Sequence, residues 1–131
     1  MPSSVKELRV WQEAVGTAGE VAKLARKTRP ETRTLADVLI RCSVEAALAI
    51  ARAHAKEGPV AQRDGFRVAR DAIASLETGL AIARHAELFP AAACADLGLR
   101  AGHTGRLVTG YITYLERLVE ADAEALRTSP V

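Results

Sequence analysis

Phe66–Ala83 reads FRVARDAIASLETGLAIA, and this stretch decides the fold. Phe66, Ala69, Ile73, Leu76, Leu80 and Ala83 recur at alternating steps of three and four, the spacing that lines one face of an α-helix. A second row beside it, Gly65, Val68, Ala72, Ser75, Gly79 and Ile82, consists almost wholly of small residues. A large apolar seam flanked by a small one predicts a helix packed on two sides, with a neighbour close along the small row. The expectation is a helix inside a bundle, covered by other helices.

Punctuation on either side bounds it. Lys56-Glu57-Gly58-Pro59 predicts a turn and Phe89-Pro90 a break, so the third helix is expected over about 60–86. Upstream, Leu35, Val38, Leu39, Cys42, Ala46, Ala49, Ile50 and Ala53 form the buried face of a helix over 34–55, opened by a capping-box variant, Thr34-x-x-Asp37. The first helix is expected over 4–27. Ser4-x-x-Glu7 reads as its capping box, and Arg29-Pro30 ends it. Its seam is Leu8, Trp11, Val15, Ala18, Ala22 and Ala25, with a second stripe of Val10, Ala14, Val21 and Leu24. Two stripes imply burial within the subunit and against something else.

The fourth helix is expected over 90–125 on a seam of Leu97, Ala101, Thr104, Val108, Tyr111, Leu115 and Leu118, followed by a frayed tail from Arg127 to Val131. Gly98, Gly102, Gly105 and Gly110 interrupt it, each costing up to ~1 kcal/mol of helix propensity. They permit close packing or mark a break near 98–105; both readings stand. Short connections make consecutive helices antiparallel neighbours. The expected fold is one all-α, up-down-up-down antiparallel four-helix bundle spanning 1–131.

Composition agrees. Of 131 residues, 49% are hydrophobic but only 4% aromatic, a helical-bundle profile rather than a β-sandwich. A formal charge of +2 offers no global polycation argument for nucleic acid. No apolar run reaches the ~20 residues of a membrane span, and Met1–Ser4 is too short and polar for a signal peptide. Cys42 and Cys94 lack CxxC spacing and read as buried free thiols in a reducing cytoplasm.

Three pieces carry a family likeness: Leu8-x-Val10-Trp11, then Arg41-Cys42-Ser43-Val44 followed by Ile50-Ala51, then Ala69-Arg70 with Leu76-Glu77-Thr78, Leu80 and Ala83. In that order and spacing, over about residues 5–120, the chain resembles the bacterial four helix bundle protein family, also called 23S rRNA intervening-sequence proteins. The resemblance implies an up-down bundle assembled into rings of five. It also implies kinship with the accessory variability determinants of diversity-generating retroelements, which bind a reverse transcriptase and nucleic acid. Where that family usually has Asn-Ile-Ala-Glu-Gly, this chain reads Ala49-Ile50-Ala51-Arg52-Ala53, so any function of that run is expected to be lost or altered.

Chemistry is sparse. A di-metal bundle site needs Glu-x-x-His pairs, but the residues three before His54, His85 and His103 are Ala51, Ile82 and Arg100. HExxH, P-loop, GxSxG and zinc-type Cys/His clusters are absent from the sequence, so neither an enzyme nor a cofactor is expected. Lys23, Arg26, Lys27, Arg29 and Arg33 cluster about the first connection, and Arg63, Arg67 and Arg70 line helix three. They are the candidate nucleic-acid contacts. With few aromatics among them, contact to the phosphate backbone is expected rather than base readout.

Arg41, Arg70 and Glu77 lie inside the likeness motifs and read as an inter-helix ion pair, with an anion site as the functional alternative. Trp11 reads as core. Of Tyr111 and Tyr114, one faces the core. Glu116, Glu120, Asp122 and Glu124 make the C-terminal end acidic, which suits head-to-tail contacts with a basic end. The expected function is an oligomeric scaffold or adaptor, a pentamer by resemblance, that binds RNA, DNA or a nucleic-acid enzyme. The alternative is a protein-interaction module without a nucleic-acid role.

Overall fold

The computed structural model describes residues 4–128. Four helices build it: α1 (Arg9–Ala25), α2 (Arg33–Ala55), α3 (Pro59–His85) and α4 (Ala91–Thr128), with no strand among the described residues. The expected tail from Arg127 lies partly in α4, and Ser129–Val131 fall outside the described residues.

All six residues of the large α3 seam are buried. Phe66, Ala69 and Ile73 pack with Val10, Ala14, Ile50, Val108, Ile112 and Leu115, and Phe66 stacks on Tyr111 with ring centroids 5.3 Å apart. Leu76, Leu80 and Ala83 pack with Val21, Leu39, Phe89, Cys94 and Leu97. The small row behaves differently from expectation. Gly65 and Gly79 meet α2, whereas Val68 and Ile82 stay 53% and 52% exposed. Helix α3 is therefore a corner of the bundle, flanked by α2 and α4, and not a helix covered on all sides.

The turn before α3 forms as read. Gly58 takes φ 86, which favours glycine, and Pro59 opens the helix where a missing N–H is harmless. The two capping boxes do not form. Residues Val5–Glu7 make a separate 3-10 turn, Ser4 Oγ accepts from Lys6 N, and an extended Leu8 precedes α1 while burying its side chain. Thr34 lies inside α2, and a 3-10 turn over Pro30–Thr32 precedes that helix.

The two stripes of α1 exchange roles. Val10, Ala14 and Val21 are buried, while Val15 of the supposed main seam is 40% exposed and Trp11 is half-buried against the core. Leu8, from an extended residue, escapes the helical spacing. On α4, Leu118 is 37% exposed where burial was expected. The helix runs unbroken through all four glycines, which removes the break reading.

Candidate functional surfaces: a basic edge and an arginine-rimmed groove

The α1–α2 and α3–α4 connections meet around a cavity of about 480 Å³ lined by Leu24, Lys27, Arg29, Glu31, Glu87, Leu88 and Phe89. Proline at 30 and the 3-10 turn hold this chain segment tight, and cations at the end of α1 suit the negative pole of its dipole. Arg26, Lys27, Arg29 and Arg33 are exposed and carry no ion pair among the described residues. Lys23 differs, since it bonds Glu20 at 3.1 Å.

The helix-three row is more neutral than its sequence implies. Arg63 reaches Asp64 at 3.2 Å, and Arg67 reaches Asp64 at 3.6 Å and Glu116 of α4 at 3.2 Å. Such surface pairs are worth ~0–1 kcal/mol, but they offset the charge offered to a polyanion. The structure does not form the ion pair expected among Arg41, Arg70 and Glu77. All three are exposed, and Arg41, on α2, does not line the groove that Arg70 and Glu77 share.

Arg70 and Glu77 instead line a groove between α3 and α4. One part, about 380 Å³, is bounded by Arg70, Ile73, Glu77, Gly102, Gly105, Arg106 and Thr109. The next, about 690 Å³, shares Glu77 and continues along Leu80, Ala81, Arg84, His85, Cys94, Gly98 and Leu99. Arg70, Glu77 and Arg84 stand seven residues apart, so two helical turns return each to the same edge of α3. That spacing was legible in the sequence; the arrival of Arg106 opposite it was not.

Glycines hollow the floor. A Cβ on Gly102 would lie 3.6 Å from Arg106 Nη1 and 4.0 Å from Glu77 Oε2. A Cβ on Gly105 would lie 3.4 Å from Ile73 Cγ2. Both are ordinary contacts, so glycine here widens the groove and relieves no clash. At Gly98 and Gly110 nothing stands within 4 Å. Close packing thus explains none of the four.

Cys94 forms part of the groove floor and is buried, whereas Cys42 is only half-buried; both are free. Burial pushes the Cys94 thiol above its ordinary value, against a smaller opposing pull from the Arg84 charge. A raised thiol is a poor nucleophile near neutral pH. In the core, Thr17, Thr32, Ser43 and Thr104 each donate to a carbonyl three or four residues back. No three His, Cys, Asp or Glu side chains gather as a metal site requires, among the described residues. No described helix is long and apolar enough to cross a membrane.

No family model matches this chain, and no curated protein matches it.

Proposed function

We propose that this chain is a non-enzymatic, self-assembling scaffold or adaptor that contacts the phosphate backbone of nucleic acid along its basic edge. The observation that carries the reading is the set of four exposed cations without ion pairs among the described residues, Arg26, Lys27, Arg29 and Arg33, at one connection. Phosphate binding by such a set is electrostatic and indifferent to sequence. Repetition of the edge around an assembly would raise avidity without new contacts.

The reading takes the helices as an antiparallel up-down-up-down bundle. Contact order supports this. Gly65 approaches Ala53 whereas Gly79, later in α3, approaches Leu39, earlier in α2. Phe66 stacks on Tyr111 whereas Glu77 lies beside Gly102, earlier in α4. The family likeness extends the proposal to a cytoplasmic ring of five. Exposed apolar side chains, Val15, Val44, Leu48, Val68 and Ile82, support self-association. They equally favour the second reading, a protein-interaction module without nucleic acid.

Fluorescence anisotropy with labelled mixed-sequence RNA and DNA over a salt series tests the proposal. Binding should fall steeply with salt, and Arg29→Glu with Arg33→Glu should weaken it alike for every sequence. Each lost phosphate contact should flatten the log–log slope on duplex DNA by roughly 0.9. Absence of binding at low salt, or binding that these reversals leave unchanged, would overturn the nucleic-acid reading. A protein partner retained at high salt would favour the alternative.

A further inference from the structure

Tyr111 and Tyr114 share a notch in α4 that is separate from the basic edge. Arg106, Leu107, Gly110, Tyr111 and Tyr114 line it, around a volume of about 540 Å³. Leu107, Gly110, Tyr111 and Tyr114 fall at i, i+3, i+4 and i+7, so two helical turns bring them to one face. Glycine makes the hollow, since nothing stands within 4 Å of a Cβ built on Gly110. The volume is that of a small-molecule site, and no carboxylate is among the lining residues. Gly110 lies about 30 Å along α4 from Ala91, where the helix leaves the basic-edge connection, at 1.5 Å per residue.

The two rings differ in what holds them. Tyr111 is half-buried and stacks on Phe66 with 10° between the ring planes, so the core fixes one wall of the notch. Tyr114 is 44% exposed and supplies the open wall. Cations flank the pair. Arg106 lines the notch, and Arg117, eleven residues on, returns to the same face three turns and roughly 16 Å further along the axis. Both arginines are exposed and without ion pairs among the described residues. Glu77 shares the neighbouring α3·α4 groove with Arg106 but does not line the notch.

Aromatic faces set between unpaired arginines suit a single nucleic-acid strand. A ring takes a base, and the guanidinium groups take the phosphates on either side. A duplex cannot use such a site, because its bases are already stacked on one another.

We propose that the α4 notch stacks one base of a single strand on Tyr114, above Gly110, with Arg106 and Arg117 holding the flanking phosphates. Every base has a π-face, so the contact is tolerant of sequence. This inference rests on the nucleic-acid part of the proposed function and deepens it. The basic edge attracts any polyanion, and the notch adds a contact that only a single strand can make.

Fluorescence anisotropy at low salt tests it with labelled oligothymidine, an abasic strand of the same length, and a duplex. The abasic strand keeps the phosphates but offers nothing to stack, so the wild-type chain should bind oligothymidine more tightly. Tyr114→Ala and the notch-filling Gly110→Leu should each weaken oligothymidine binding roughly fivefold or more, and leave the other two probes unchanged. Tyr114→Phe retains the ring and should bind like wild type. Both positions are exposed, and circular dichroism checks that each variant stays helical. An abasic strand bound as tightly as oligothymidine, or unchanged affinity in Tyr114→Ala, overturns the notch and leaves the basic edge standing. Arg29→Glu with Arg33→Glu should instead weaken all three probes together. Duplex binding that these reversals leave unchanged overturns the edge, while a loss confined to oligothymidine in Tyr114→Ala upholds the notch.

Discussion

Gly65 lies flat against Ala53: a Cβ added to the glycine would stand 2.7 Å from Ala53 Cβ and 2.9 Å from Ala53 Cα. The obstacle includes backbone, so it cannot rotate aside, and α2 and α3 meet here at the distance that a missing side chain allows. Gly65→Ala should cost ~1–3 kcal/mol as overpacking, exceeding the ~1 kcal/mol that alanine gains in helix propensity. Gly79→Ala should cost less, since its obstacle is Leu39 Cδ2, the end of a side chain that can turn. Urea denaturation midpoints check both. A Gly65→Ala midpoint at or above wild type would contradict the close approach.

Glycines on α4 should respond in the opposite direction. Nothing stands within 4 Å of a Cβ at Gly98 or Gly110, and the helix is continuous through both. Gly98→Ala and Gly110→Ala should each stabilise the fold by up to ~1 kcal/mol and raise Tm by roughly 4 °C. A fall in Tm at either position would reveal a conformational need for glycine.

Glu87 holds the left-handed conformation that closes α3, with φ 56 and Leu88 N–H bonded to Ala83 O at 3.0 Å. A side chain in that region costs ~1–2 kcal/mol, and a carboxylate opposes the dipole at this end of the helix. Glu87→Gly should therefore stabilise the protein by about 1 kcal/mol in thermal or urea denaturation. An unchanged stability would mean that the Glu87 side chain makes a compensating contact.

Alkaline pH should loosen the fold. Burial raises the Cys94 thiol above its ordinary 9.0 and the Tyr111 phenol above its ordinary 10.0. Below those values both groups are neutral in the folded and unfolded chain. Above them the unfolded chain ionises first, so stability falls as pH rises through the folded-state values. A urea series from pH 8 to 11 reads the decline. Cys94→Ser retains the tyrosine contribution and should lessen the early part of the fall.

The periodicity of Phe66–Ala83 identified α3, because six apolar side chains at helical spacing must share one face, and the punctuation on either side bounded it within a residue at each end. Gly58 and Pro59 marked the preceding turn for equally local reasons, a positive φ and a fixed ring. The start of α1 was less legible. Ser4-x-x-Glu7 matches a capping box, yet burying Leu8 from an extended residue displaced the helix start to Arg9. Arg41, Arg70 and Glu77 share likeness motifs, and a shared motif says nothing of contact in space. The fold sends Arg70 and Glu77 to the α4 side of α3 and leaves Arg41 on α2.

What the sequence by itself determined is local: four helices, the Gly58–Pro59 turn, and the apolar face of α3, since propensity and periodicity act within a few residues of chain. Tertiary structure alone decided which of two stripes on α1 enters the core, as Val10 does and Val15 does not. It also brought Arg106 opposite Arg70 and Glu77, and left Leu115 as the last buried residue of α4. Those outcomes depend on the register in which whole helices slide and turn against one another. Register minimises exposed apolar area over the entire core, and no stretch of one helix contains that sum.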